Sequence, residues 1–380
     1  MSLHYVRVFP AFDNFSPAVR PTGNMVVIGD ATAGTANEVV EVTSTAEAVS
    51  LFSSSATAPS ALSKSLITAM SQDPSPSRLW GIKVGTAGSP TPVPDPASAL
   101  TAAAALNVQF VVLANTPLTA TSGAAGGAIE ALRNHVVTVS AAGDGKERMG
   151  VAMLTKGVAS PALVSGTLVS DRMVYVAHQS DEDAASAVAG TIAGYPPSTS
   201  MILKQVAIKN VSFTDAQIDT INGQESEEPT VPSAIEGQGV VWLTSPVLLP
   251  GGGVYLGEGY TGNRQKLKFI DVQRTLDDVT FRLKARLIGS IGNLRISRSG
   301  LRALILQMEA VLNPLVAGGV LEGYQLTVPV LKLLDADPAT LTDSQVEAVK
   351  RAHTDRVAQV LASVEYAGAM HRIHINLKFN

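Results

Sequence analysis

Few side chains in this sequence have the types and spacing that catalysis needs. Gly257-Glu-Gly259-Tyr-Thr-Gly262 matches the G-x-G-x-x-G pattern that wraps a dinucleotide pyrophosphate. That chemistry requires a helix directly after the last glycine, whose N-terminal N–H groups face the phosphates. Here Asn263-Arg-Gln-Lys-Leu-Lys-Phe-Ile270 alternates like a strand, and the motif lies late in the chain, so a glycine-rich turn is the better reading. His371 and His374 would share one face of a helix but fall on opposite faces of a strand, which opposes joint metal binding. His4, His135, His178 and His353 have no ligand-like spacing. Asp181-Glu-Asp183 reads as the first turn of a helix and Glu225-x-Glu227-Glu228 as a solvated loop; neither has the alternating oxygen ligands of a calcium loop. No P-loop, G-x-S-x-G elbow or H-E-x-x-H occurs. The chain has no cysteine, which excludes thiol nucleophiles, thiolate metal sites and disulfides. The expectation is a protein that is not an enzyme, with no catalytic, cofactor-binding or metal residues.

The elements that would have to position any site follow from hydrophobic periodicity. Met25–Gly29, Leu79–Val84, Gln109–Ala114, Arg148–Leu154 and Met173–Ala177 are short apolar runs suited to buried strands. Between them lie helical segments: Ser44–Phe52, opened by the capping box Ser44-x-x-Glu47, then Ser60–Met70, Ala97–Leu106, Gly127–Val136 and Asp181–Ile192. This alternation predicts an α/β (α+β mixed) fold. Gly85–Pro96, with prolines at 90, 92, 94 and 96, reads as an extended surface loop. After about residue 200 the texture changes. A short helix spans Thr214–Ile221, and strands are predicted at Val240–Leu249, Val254–Leu256 and Leu267–Ile270. A long helix spans Asp271–Leu287, with Val272, Leu276, Val279, Leu283 and Leu287 on one face. Ser297–Leu312 is another helix, Tyr324–Leu334 a strand, and the capping box Thr342-x-x-Gln345 opens a helix through Val364.

Composition narrows the class of function. The 380 residues suit two or three domains, and 16% charged residues is low against a usual value of about 25%. The net charge of −4 argues against a general nucleic-acid binder. The start, Met1-Ser-Leu-His-Tyr-Val-Arg, lacks a basic region followed by an apolar core, so no signal peptide is expected, and no run of about 18 apolar residues suggests a membrane span. One stretch departs from the acidic balance. From Arg264 to Arg302 there are ten basic and three acidic residues, a pattern suited to an acidic protein surface, to nucleic acid, or to plain solvation.

Both ends of the chain look like arms. His4-Tyr-Val-Arg-Val-Phe9 has strand propensity, with Val6 and Val8 on one face, and Pro10, Pro17 and Pro21 keep residues 1–24 extended. In residues 371–380, Ile373, Ile375, Leu377 and Phe379 alternate with Arg372, His374, Asn376, Lys378 and Asn380, the pattern of a half-buried strand. An unpaired strand of this kind is an aggregation hazard unless it has a partner. The fifteen residues from Tyr366 span up to about 50 Å if extended, enough to reach an adjacent molecule.

Several stretches, in this order, resemble one family. They are the arm leading into Met25–Gly29; the capped helix Thr45–Phe52, followed by Ala61–Met70 and Leu79–Val84; Tyr195-Pro-Pro-Ser198; Gly253-Val-Tyr-Leu-Gly257 with Phe269-Ile-Asp-Val-Gln-Arg-Thr275; Leu312–Gly323; and the terminal alternating strand. The chain resembles the contractile tail sheath proteins of myophages, R-type pyocins and contractile injection systems. It departs from the family pattern at Val272-Gln-Arg274, with one arginine where many sheaths have two, and at Ile291-Gly-Asn-Leu-Arg295, which replaces a Phe-Glu-Pro-Asn segment.

The resemblance implies a two-domain sheath-like fold: arm 1–24, N-terminal domain 25–200, C-terminal domain 201–365 and strand arm 366–380. It also implies a structural subunit that polymerises with copies of itself as stacked hexameric rings around an inner tail tube. Terminal arms, through Val6, Val8, Ile373, Ile375, Leu377 and Phe379, would be exchanged between subunits. Contraction would drive the tube through a target envelope, with baseplate and tail terminator proteins as further partners. A C-terminal-domain helix would touch the tube, with Lys350, Arg351 and Arg356 as first candidates and Arg274 as second. Synthesis in the bacterial cytoplasm and residence in a virion tail or released contractile particle follow. The alternatives are an α/β ligand-binding protein or enzyme, or another phage structural (tube or capsid) protein.

Overall fold

The computed structural model describes residues 21–87, 93–223, 238–249, 252–265 and 268–370. They divide into two units, Pro21–Asp277 and Asp278–Ala367, and the division falls within a helix. The first unit contains β1 (Asn24–Gly29), β2 (Val39–Val42), α1 (Thr45–Phe52), α2 (Ala61–Met70), β3 (Arg78–Lys83), β4 (Gly85–Ala87), β5 (Val93–Asp95), α3 (Ala97–Ala103) and β6 (Phe110–Leu118). It continues with α4 (Ala128–Ala141), β7 (Met149–Leu154), β8 (Met173–Ala177), α5 (Ala184–Gly194), β9 (Gln205–Val206), α6 (Asp215–Asn222), β10 (Val241–Thr244), β11 (Val254–Leu256) and the opening of α7 (Ile270–Ile288). The second unit holds the rest of α7, then α8 (Arg298–Ala317), β12 (Leu321–Thr327), α9 (Pro329–Asp335), α10 (Asp343–Asp355) and β13 (Leu361–Tyr366).

Nine strands form the sheet of the first unit in the order β2-β3-β1-β6-β7-β8-β10-β11-β9. The six from β3 to β10 run parallel; β2, β11 and β9 are antiparallel additions at the two edges. Helices cover the parallel strands on both faces, which is why β1, β7 and β8 read as unbroken apolar runs and are buried along their whole length. The helices start where the capping residues stand. Ser44 accepts from the Glu47 N–H at 3.2 Å, and the Glu47 carboxylate reaches back to the backbone N–H and hydroxyl of Thr43. Those bonds hold the Glu47 pKa below its ordinary value. Thr342 and Gln345 form a complete reciprocal box on α10.

Several sequence expectations change. The boundary expected after residue 200 is not where the chain divides, because β9, β10 and β11 extend the first unit's sheet. The proline-rich loop contains a short antiparallel pair, β4 with β5. The strand expected over Tyr324–Leu334 stops at Thr327, because Pro329 sits in the first turn of α9, where its fixed φ suits a helix start. The helix expected through Val364 ends at Asp355. Arg356 takes a left-handed φ of 55°, and β-branched Val364 lies in a strand paired with β12. On α7 the expected apolar stripe holds for Val279 and Leu283, but Leu276 is 47% exposed. Apart from Ile270, the buried residues of its first half are polar: Asp271, Gln273, Arg274, Thr275, Asp277 and Asp278.

Candidate assembly surface

Open parallel sheets bind ligands beyond the strand C-termini where the strand order reverses. In this sheet that point lies between β1 and β6, since β3 sits on the other side of β1. It is tightly packed: a Cβ built on Gly29 would fall 2.4 Å from the Ala114 Cβ. Buried Asp183 caps α5 there through the Ser186 N–H (3.0 Å), and also accepts from Ser65 Oγ (2.6 Å), Ser186 Oγ (2.8 Å) and the Asn115 N–H (2.9 Å). Its acceptor capacity is spent on tying α5 and α2 to the sheet. Two surface clefts of about 350 and 370 Å³ lie elsewhere. In the first, Arg78 forms a two-pronged pair with Glu41; in the second, Arg264 donates to the carbonyls of Gln238 and Val164.

His135 and His178 are structural. Burial and the nearby Arg148 guanidinium lower the His135 pKa to about 4. His178 packs between the Leu154 carbonyl and the Ser180 N–H, and burial pushes its pKa down as well. The glycine pattern at 257–262 is followed by an isolated bridge, Tyr260 with Phe269, and α7 starts only at Ile270, so the turn reading holds.

The second unit presents a different surface. Among the described residues β12 and β13 form a two-stranded sheet, and five of the six β13 residues are exposed. Leu361 and Val364 are 53% and 38% exposed. α8 carries Leu306 at 64% exposure, and Ile288, the last residue of α7, and Ile291, in the turn before α8, are 70% and 79% exposed. Arg298 and Arg302 both pair with Asp335, so part of the basic stretch is used inside the unit. Lys350 and Arg351 lie exposed in the last turns of α10, and Arg356 is its exposed left-handed cap. Val6, Val8, Ile373, Ile375, Leu377 and Phe379 lie outside the described residues.

Arg274 does not take the surface position expected of it. It is 6% exposed and donates to the carbonyls of Tyr195 (2.8 Å), Pro196 (3.2 Å) and Thr22 (3.2 Å), with its guanidinium 5.3 Å from the centre of the Phe110 ring. β13, the partner of β12, was hidden in the sequence by the run of helix-compatible residues after α10; the signal that marks it is Val357, Val360 and Val364.

No protein-family model and no curated protein matches this chain. Solved structures do. A chain of the anti-feeding prophage helical sheath in its contracted state superposes with a TM-score of 0.62 at 14% identity, over 100% of this chain and 99% of that one. The contracted sheath complex of the PVC extracellular contractile injection system gives 0.63 at 12% identity, over 100% and 98%. A sheath tail protein from Listeria innocua gives 0.54 at 11%, over 80% and 88%.

The chain has the fold of a contractile sheath protein. The sheath fold accounts for the mixed α/β architecture expected from the sequence, and the likeness to the two contractile-system chains runs through both units.

Proposed function

We propose that this protein is the structural subunit of a contractile sheath. The observation that carries the reading is the end-to-end match of fold to chains solved within contracted sheaths. The subunits assemble as stacked hexameric rings around an inner tube, and contraction drives that tube through a target envelope. A two-stranded sheet is marginal in water by itself. β12 and β13 therefore offer one edge each to incoming strands, and the terminal segments around Val6 and Val8 and around Ile373–Phe379 supply them from neighbouring copies. Lys350, Arg351 and Arg356 face the tube; baseplate and terminator proteins bind the ends of the sheath. The particle is a virion tail or a released contractile assembly, made in a bacterial cytoplasm. No catalytic step is part of this role, and the packed switch point of the sheet agrees with that.

The test is electron microscopy of the purified chain. Wild-type protein forms rings or tubes on concentration, and a chain lacking residues 371–380 stays a folded monomer. This deletion spares Tyr366, which pairs with Leu321 inside the unit. A wild-type chain that remains monomeric at high concentration would sink the reading.

A further inference from the structure

The burial of Arg274 has a specific geometry. Its guanidinium lies where three separate parts of the first unit converge. Thr22 is the last residue but one before β1; Tyr195 and Pro196 follow α5; Phe110 begins β6. The carbonyls it binds are ones that regular structure leaves free. Thr22 precedes the β1 ladder, which begins at Asn24, and Tyr195 and Pro196 close a helix whose C-terminal end favours a cation. One planar fork with five donors can serve three carbonyls at once; a lysine ammonium on its flexible stem cannot reproduce that arrangement.

The neighbouring contacts serve the same short segment. Gly23 accepts from the Ser77 N–H at 2.9 Å, and a side chain there would meet the Ala193 carbonyl oxygen at 2.3 Å. The Asn24 N–H donates to Gln109 Oε1, and its side-chain amide donates to the Asn107 carbonyl, both at 3.0 Å. Residues 22–24 are thus held by the beginnings of β3 and β6, by the end of α5 and by α7.

We propose that Arg274 is a positioning residue that clamps the root of the N-terminal segment. It fixes the backbone at Thr22, and it passes a pull arriving there from the N-terminal side into α5 and α7. Without it, tension at Thr22 acts first on the end of the β1 ladder, which opens one residue at a time from Asn24. With it, the load is shared by three carbonyls before the first ladder bond is reached. The clamp's chemistry stands by itself; its purpose, holding a tether between copies, rests on the sheath reading.

The experiment compares wild type, Arg274→Lys and Arg274→Met by native-state hydrogen exchange on the full chain under conditions where it is unassembled. Exchange at the Asn24 and Ser77 amides is expected to be about tenfold faster in both variants, with the amides of β7 and β8 unchanged. The absence of cysteine allows a second readout. A nitroxide on Thr22→Cys is expected to be immobile in the wild-type background and mobile beside Arg274→Lys, a change that a uniform loss of stability does not produce. If Arg274→Met fails to fold, Arg274→Lys carries the test alone. Equal exchange and equal label mobility in wild type and Arg274→Lys overturn the clamp. Failure of the wild-type chain to form tubes overturns the sheath reading and leaves the exchange result standing.

Discussion

α5 and α8 are both apolar helices, yet ten of the eleven residues of α5 are buried and only three of the twenty in α8. The difference lies in what surrounds them. α5 packs on α2 and on the central strands β1, β6, β7 and β8, inside an apolar cluster that runs from Met25 to Ile270. α8 rests on β12 and α9, and its unit holds two small clusters, one centred on Val279, Leu312 and Leu321, the other on Leu301, Val328 and Leu331. Hydrophobicity alone does not bury a helix; a wide enough partner surface does. On the sheath reading, apolar side chains left uncovered in this way suit contact with another copy. The first unit therefore reads as complete in itself, and the second as one that neighbours complete.

The comparison is most easily broken at Leu66 on α2, which is fully buried in the first unit. Leu66→Ala should lower the unfolding free energy by about 2–5 kcal/mol, the range for emptying a packed leucine site. Both tryptophans, Trp80 and Trp242, lie buried in that unit, so a denaturant titration followed by tryptophan fluorescence reads it selectively. A loss below about 1 kcal/mol would mean that the first unit is as loosely packed as the second.

Acid should sharpen the same contrast. The folded-state pKa of His135 is lowered to about 4, first by burial and then by Arg148, against about 6.5 unfolded. Between those two values the unfolded chain binds a proton that the native chain does not. Stability is therefore retained above pH 6.5 and lost as pH falls towards 4, by up to about 3 kcal/mol. His178 shifts in the same direction. The dependence should show in the tryptophan-reported transition and should flatten in His135→Gln; an unchanged profile in that variant would remove His135 as its source.

Legibility in the sequence follows the same division between the units. β1, β7, β8 and the helices capped by Ser44 and Ser60 were readable because their burial is settled by local pattern and capping chemistry. The second unit was read less well, since β13 is exposed, β12 is only half-buried, and neither shows the alternation that burial on one face imposes. Leu361–Val364 passed for helix because little in its surroundings selects for strand except the partner β12. Arg274 was misplaced for a different reason. A cation in a basic stretch looks like surface, and the three backbone carbonyls that bury it come from positions about 80 and 250 residues away, which no local pattern encodes.

The smallest effect on the chain's own stability, and the most telling, is expected at Leu306. It has the same chemistry as Leu66 but is 64% exposed on α8. Leu306→Ala should change the unfolding free energy of the isolated chain by no more than about 0.5 kcal/mol, as for other exposed sites. If neighbours cover this face, the same substitution removes a contact worth about 1.5–3 kcal/mol wherever two copies meet. The protein concentration needed for tube formation should then rise about tenfold or more, since each 1.4 kcal/mol is a factor of ten. Leu306→Glu should raise it further, because a carboxylate would have to be desolvated at the contact. The two measurements must diverge: unfolding nearly unchanged, assembly strongly weakened. If Leu306→Ala and Leu306→Glu both assemble like wild type, the exposed face of α8 is ordinary surface, and the second unit's sparse core needs an explanation other than its neighbours.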